Sequence, residues 1–118
     1  MVYTIKVPRL LRQRISVKKL KYCKKYELIE VESRIESNLG SLYMECGQYS
    51  DARDYLEQAH LDYKRVPEEE RSLASLTAIY NNLALCYMKS GSLEKAEEYI
   101  ANWRQSAKRI LRRWITFM

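Results

Sequence analysis

The chain has 118 residues, and its 21 Lys and Arg against 15 Asp and Glu give a formal charge of +6. That length allows one domain with one hydrophobic core, and 47% apolar with 31% charged residues excludes a disordered chain. Three Gly and two Pro argue against a turn-rich all-β fold, and no apolar run approaches the roughly 18 residues of a membrane span.

The charge is distributed unevenly along the chain. Residues 1–25 hold nine bases and no acid, residues 26–100 hold seven bases and 15 acids, and residues 101–118 hold five bases and no acid. The basic ends could bind nucleic acid or an anionic membrane, pair with acids of the same or another chain, or remain solvated. We favour contact with protein over contact with a polyanion.

The first half of the chain predicts three helices. The N-terminal segment 1–25 contains spaced leucines and isoleucines among its bases, which predict a first helix. A second helix is predicted from about Lys24 to Glu45. Gly47 then ends it, because glycine accepts the left-handed conformation that commonly closes a helix. The third helix starts near Gln48 or Ser50, and its predicted buried stripe is Ala52, Leu56 and Ala59.

The second half predicts two longer helices. Pro67 followed by three glutamates predicts the entry to a fourth helix from Glu68 to Lys89, with Gly91 after its end. The fifth helix is predicted from Leu93 to near the C-terminus, because its apolar residues follow a heptad seam. The seam consists of Leu93, Ala96, Ile100, Trp103, Ala107, Ile110, Trp114 and Phe117.

An internal repeat relates the two halves. When the chain is shifted by 44 residues, the segment 38–56 aligns without a gap on the segment 82–100, and seven of the 19 positions are identical. The identical pairs are Asn38/Asn82, Leu39/Leu83, Tyr43/Tyr87, Met44/Met88, Gly47/Gly91, Ala52/Ala96 and Tyr55/Tyr99. Each unit therefore predicts the same helix–turn–helix hairpin.

The units resemble tetratricopeptide repeats, whose pattern is W-x-x-L-G-x-x-Y followed by A-x-x-x-F and a further A. The first unit has Leu39-Gly40-x-x-Tyr43 and then Ala52-x-x-x-Leu56, but Glu36 stands at the tryptophan position. The second unit has Tyr80 there and Trp103 at the second alanine position. The 44-residue period resembles the long-repeat type found in kinesin light chains and bacterial peptide-sensing regulators.

We therefore predict an all-α fold, in which antiparallel helical hairpins form an α-solenoid fragment with two repeats and flanking helices. The resemblance covers the repeats 33–66 and 77–110 within one domain, 1–118, and a basic helix extension occupies residues 104–118. It implies a non-catalytic module for protein–protein interaction. The three cysteines have no C-x-x-C spacing, so we expect no disulfide framework and a cytoplasmic location.

The resemblance also implies a groove that holds a peptide or a segment of a protein partner. Asparagine is a poor residue inside a helix, yet Asn38 and Asn82 recur at one repeat position, and their amides could bond a peptide backbone. The alternative is that both amides tie neighbouring helices of the stack. The expected groove residues are Arg34, Ser37, Asn38, Ser41, Met44, Glu45, Ala78, Asn81, Asn82, Leu85, Met88 and Lys89.

The last helix offers a second candidate surface, for a polyanion or for a homo-oligomer. Its residues are Trp103, Arg104, Lys108, Arg109, Arg112, Arg113, Trp114 and Phe117. No phosphate-binding loop and no credible nucleophile–histidine–acid set are present, and the lone His60 is read as a packing or surface residue. We therefore expect no enzyme, small-molecule substrate, cofactor or metal.

Overall fold

The computed structural model describes residues 9–25 and 28–117, with the side chains of Arg9, Leu10 and Phe117 outside that description. Within these ranges the protein is all-α. Its five α-helices and one short 3₁₀ turn are α1 (Arg9–Lys25), α2 (Ile29–Glu45), α3 (Tyr49–Arg65), the turn (Glu68–Glu70), α4 (Leu73–Lys89) and α5 (Leu93–Phe117). The predicted fold class is confirmed, and none of the described helices is long and apolar enough to cross a membrane.

The helices pair as the repeat predicts. Helices α2 and α3 form one hairpin, α4 and α5 form the next, α1 packs on α2, and α4 packs against both helices of the first hairpin. Gly47 and Gly91 close α2 and α4 at φ angles of 75° and 85°. In that left-handed region glycine carries no steric cost, so both sharp turns follow from the sequence.

The core lies where the hairpins meet. The predicted stripe of α3, Ala52, Leu56 and Ala59, is fully buried, and it belongs to one cluster with Leu76, Ile79 and Leu83 of α4. The seam predicted for α5 is correct in part: Ala96, Ala107 and Ile110 are buried, whereas Leu93, Ile100 and Trp114 are exposed. A seven-residue repeat drifts around a straight helix of 3.6 residues per turn, and Tyr99 is buried beside the exposed Ile100.

Two predicted helix starts are wrong. Lys24 belongs to α1, and the second helix begins at Ile29. The fourth helix begins at Leu73, because Arg71 is extended and its guanidinium donates hydrogen bonds to the backbone carbonyls of Val66 and Lys64 at the end of α3, each at 2.9 Å. Ser72 then caps α4 by accepting a hydrogen bond from the backbone N–H of Ser75.

One acid joins the hairpins. Glu57 of α3 accepts hydrogen bonds from the hydroxyl of Tyr87 at 2.6 Å and from the hydroxyl of Tyr99 at 2.8 Å. The two tyrosine rings stack with centroids 5.6 Å apart. Desolvation by burial and then the Glu57 carboxylate raise the pKa of Tyr87 to about 12, so its hydroxyl stays protonated and can donate. Glu57 thus links α3 to α4 and α5.

Gly40 sets how closely the two helices of the first hairpin approach. A Cβ atom at this position would collide with the side chain of Leu56 and come within 3.2 Å of the backbone oxygen of Ala52. Leu56 is fully buried and cannot move aside without disturbing the core, so the contact depends on glycine.

We predict that Gly40→Ala lowers the free energy of unfolding by about 1–3 kcal/mol through overpacking, although alanine is the better helix former. Urea denaturation followed by circular dichroism measures this. The matched control is Ala84→Gly at the equivalent position of α4, which should cost about 0.5–1 kcal/mol through backbone entropy and somewhat more through the loss of its buried methyl group. Wild-type stability in Gly40→Ala would contradict the close approach.

Candidate protein-interaction surface

The predicted groove residues divide into buried and accessible positions. Ser37 and Met44 are buried at 1% and 6% exposure, so neither side chain lies on the accessible surface. The others are exposed or half-buried, namely Arg34, Asn38, Ser41, Glu45, Ala78, Asn81, Asn82, Leu85, Met88 and Lys89. Ser37 and Met44 are inaccessible because α4 packs against the side of α2 on which they lie.

The two equivalent asparagines have different surroundings. The Asn82 side chain donates a hydrogen bond to Ser37 Oγ at 2.9 Å and therefore ties α4 to α2, as the alternative interpretation of this position predicted. The Asn38 side chain is exposed, and none of the hydrogen bonds between described residues involves its amide. Within the described part of the chain, the amide of Asn38 thus has an unused donor and an unused acceptor.

Apart from Asn82, which bonds Ser37, the accessible residues belong to two surfaces. The first, which we call the strip, runs along α2 and α4 and consists of Arg34, Asn38, Ser41, Glu45, Ala78 and Lys89. The second, which we call the outer groove, lies between α4 and α5. It has a volume of about 360 Å³ and is lined by Thr77, Tyr80, Asn81, Ala84, Leu85, Met88, Ile100 and Trp103.

One hydrogen bond crosses the outer groove. Trp103 Nε1 donates a hydrogen bond to Thr77 Oγ1 at 3.1 Å, which fixes the indole ring across the space between α4 and α5. Met88 is 50% exposed and Ile100 38% exposed. The expected groove residues Asn81, Leu85 and Met88 therefore line the outer groove, with Trp103 from the second candidate surface.

The basic residues of α5 also divide into two groups. Arg109 pairs with the Glu68 carboxylate at 3.7 Å, and Arg113 donates to the Glu68 backbone carbonyl. Arg104, Lys108 and Arg112 are exposed. Trp114 is 66% exposed beside Leu111 and Ile115, whereas the side chain of Phe117 lies outside the described part of the chain. Part of the basic end therefore pairs with an acid of the same chain.

A cluster of three carboxylates lies between α2 and α3 and was not predicted. Glu32, Glu36 and Asp62 are all buried, with oxygens within 4.8 Å of one another. Glu36 Oε1 and Asp62 Oδ2 have no hydrogen-bond partner among the described residues. Carboxylate oxygens at such distances can hold Ca²⁺ or Mg²⁺, so the balance of charge around the cluster decides between a cation and a proton.

The surrounding charges favour a proton. Lys24 Nζ lies 4.0 Å from Glu32, and the Arg65 guanidinium lies 3.4 Å from Asp62, which leaves one negative charge of three to neutralise. Burial and then the adjacent Asp62 carboxylate, which can accept a hydrogen bond from the protonated form and repels the charged form, raise the pKa of Glu36 to about 9. A protonated Glu36 can donate to Asp62, and it satisfies both unpaired oxygens.

The single histidine is a packing residue. His60 is buried, its Nε2 lies 2.9 Å from the Tyr80 hydroxyl, and its ring packs edge-on against Tyr80 and Tyr99. Burial, with the positive charge of Lys64, lowers the pKa of His60. The imidazole is therefore neutral at neutral pH and completes the aromatic layer between α3, α4 and α5.

The sequence did not predict the carboxyl cluster or part of the outer groove. Glu36 stands where the repeat pattern places an aromatic residue, and that departure was a visible signal for the carboxyl cluster. Thr77, Ala84 and Ile100 of the outer groove could have been found by asking which face of each hairpin the next hairpin covers. Asp62 gave no signal, because its pairing with Glu36 depends on the packing of α3 against α2.

The comparisons with known proteins agree with this architecture. Residues 37–66 and residues 77–101 each match the tetratricopeptide repeat, and the two matches fall on the α2–α3 and α4–α5 hairpins. The chain therefore contains two tetratricopeptide repeats, and repeats of this kind generally mediate protein–protein interaction. The long-repeat subtype remains a prediction.

A longer relative was also found. The chain is similar to outer dynein arm-docking complex subunit 4 of Xenopus laevis, at 29% identity over 90 residues. The alignment covers 76% of this chain and 16% of the relative, so the chain spans about a sixth of that protein. No solved structure matches the chain.

We predict that the carboxyl cluster makes the protein less stable as pH rises. The folded-state pKa of Glu36 lies above its ordinary value of 4.5, so its stabilising contribution is complete below that value and is lost as pH rises toward 9. Urea midpoints should therefore fall between about pH 5 and about pH 9. Glu36→Gln, which is neutral at every pH, should remove most of this decline.

Glu45→Gln, an exposed change on the same helix, serves as the control and should keep the wild-type slope. A wild-type midpoint that stays constant over this range would contradict the shared proton. A rise of the midpoint at neutral pH on addition of Ca²⁺ or Mg²⁺, absent in Glu36→Gln, would assign the cluster to a cation instead.

Proposed function

We propose that this chain is a non-catalytic interaction module that binds an extended segment of a partner protein along the strip. The observation that carries the proposal is the free amide of Asn38, which lies exposed on α2 while its repeat equivalent is used inside the fold. A side-chain amide offers the donor and the acceptor that a peptide bond needs. The name of the Xenopus relative places that protein in a docking complex, which supports a role in assembly.

The charge of the strip fits a segment of mixed or neutral character. Arg34 and Lys89 are balanced in part by Glu45, which also pairs with Arg12 of α1 at 3.6 Å. Most of the excess positive charge lies in α1 and in the second half of α5. The strip therefore favours backbone recognition with a few side-chain contacts over capture of a strongly acidic tail.

We predict that a photoreactive amino acid at Ser41 cross-links a protein partner in cell extract, whereas the same group at Leu61, an exposed position of α3, does not. The cross-linked segment, made as a peptide, should then bind the purified chain. Asn38→Ala should weaken its affinity about three- to tenfold, the value of one or two hydrogen bonds, with no loss of stability.

Asn82→Ala is the matched control, because it breaks the contact with Ser37 and should lower stability instead of affinity. Cross-linking from Leu61 but not from Ser41, or an unchanged affinity in folded Asn38→Ala, would contradict the strip as the binding site.

Self-association is a second candidate function, favoured by the exposed apolar side chains of Leu111, Trp114 and Ile115 near the end of α5. A cluster of this kind on one helix side is typical of an interaction site. We predict a monomer–dimer equilibrium in sedimentation velocity that Trp114→Lys shifts to monomer, because a charge in a dimer interface would be desolvated. A wild-type monomer at the highest soluble concentration would contradict it.

A further inference from the structure

A polar pocket that belongs to neither the strip nor the outer groove lies between the end of α3, the linker 66–72 and the middle of α5. Its volume is about 230 Å³. Helix α5 contributes Asn102, Gln105, Ser106 and Arg109, whose spacing of i, i+3, i+4 and i+7 places them on one helix face. Each of these four side chains can donate a hydrogen bond, so α5 presents a row of donors to the pocket.

The pocket is positively charged in a part of the chain that is otherwise acidic. Lys64, Arg71 and Arg109 line it, and Glu68 is the one acid among its described lining residues, whereas residues 26–100 as a whole hold seven bases and 15 acids. The guanidinium of Arg71 is held in place by its two hydrogen bonds to backbone carbonyls at the end of α3. Three positive charges and one negative charge leave +2, and one of the cations is fixed before any ligand binds.

The buried wall of the pocket holds a donor hydrogen without an acceptor. His60 and Tyr80 are buried residues of this wall, and His60 Nε2 lies 2.9 Å from the Tyr80 hydroxyl. A neutral imidazole and a tyrosine hydroxyl each carry one polar hydrogen, and the bond between them uses one of the two in either tautomer. The other hydrogen has no acceptor among the hydrogen bonds of the described residues. The pocket therefore offers a neutral donor besides its cations.

The cations and the neutral donor lie close together. Burial raises the pKa of Tyr80, and the positive charges of Arg71 and Arg109 oppose that rise. Both guanidinium groups therefore act on the hydroxyl that bonds to His60, although one comes from the linker and the other from α5. An acceptor that entered the pocket would meet all of these donors at once.

We propose that this pocket binds a phosphoryl group that carries two negative charges, either on a phosphorylated side chain of a protein or on a small free phosphate ester. A phosphomonoester has a charge of about −2 near neutral pH and three strong acceptor oxygens. It therefore balances the charge of the pocket and uses several of its donors, in bonds that charge strengthens. A carboxylate would neutralise only half of the excess charge.

Glu68 is the internal competitor for this site. Its carboxylate lies 3.7 Å from the Arg109 guanidinium, and both side chains are more than half exposed. An exposed pair of this kind contributes little stability, so a doubly charged ligand can take over Arg109 while the Glu68 side chain moves into solvent. The site is separate from the proposed function, because no residue of the strip lines the pocket.

The single histidine makes the proposal directly testable. His60 is the only histidine of the chain, so in protein without a histidine tag its imidazole signals in a long-range ¹H–¹⁵N NMR spectrum need no assignment. We expect inorganic phosphate, and a blocked Gly-phosphoserine-Gly peptide, to shift these signals saturably. Tighter binding of the peptide would identify a phosphorylated side chain as the source, and tighter binding of inorganic phosphate would identify a small free phosphate.

Two pairs of variants separate a site from a general effect of charge. Arg109→Gln should weaken phosphate binding about five- to tenfold, whereas Arg104→Gln, an exposed change on the same helix outside the pocket, should not. Glu68→Gln should strengthen binding about threefold by removing the competitor. Glu69→Gln makes the same change of net charge one residue away, outside the pocket, and should leave the affinity at the wild-type value.

Three results would overturn the proposal. The first is a set of His60 signals that inorganic phosphate and the phosphopeptide both leave unmoved. The second is a shift that sodium chloride reproduces at matched ionic strength, which would reduce the effect to screening. The third is an equal affinity in Arg109→Gln and Arg104→Gln. An unchanged phosphate affinity in Asn38→Ala is expected in every case, so failure of the strip and failure of this pocket are distinguishable.

Discussion

Each helical hairpin of this chain buries one apolar side between its own helices and must bury its other side on a neighbour. In the first hairpin that neighbour is α4, which packs across α2 and α3. Its apolar side covers the core residues Met44, Leu56 and Ala59, and the rest of the structure depends on this contact. Repeats of this kind are stabilised chiefly by nearest-neighbour interfaces. The same side of α4 that completes the first hairpin also presents Asn82 to Ser37, so packing and polar bonding fix the same register.

The fold was predictable because its signals are local. Glycine at two equivalent helix ends and alanine at two equivalent helix positions define a hairpin without reference to the rest of the chain. The linker was harder, since the glutamates after Pro67 are good for the first turn of a helix, and the break at Arg71 follows from its hydrogen bonds to α3 carbonyls. The start of α4 therefore depends on how closely the linker approaches the end of α3, and not on the local helix preference of the linker residues.

The candidate site was less predictable, for a reason that the repeat makes plain. The sequence shows which positions are equivalent, but a position is exposed or buried according to what lies beside its own hairpin. Met44 and Met88 are identical in type and register, yet one is core and the other is surface. The surroundings of Glu36 were unpredictable for the same reason. An acid at the aromatic position of the repeat joins a buried carboxyl cluster only where α3 brings Asp62 against it.

Glu57 has a consequence for how the molecule unfolds. Its carboxylate belongs to the first hairpin, while the two hydroxyls that it accepts from, those of Tyr87 and Tyr99, belong to the second. Separating the hairpins would replace these hydrogen bonds by bonds to water, at a net cost of about 1 kcal/mol each, and would expose the apolar cluster that α3 shares with α4 and α5. The two repeats therefore melt together as one cooperative unit, and a state with one repeat folded is sparsely populated.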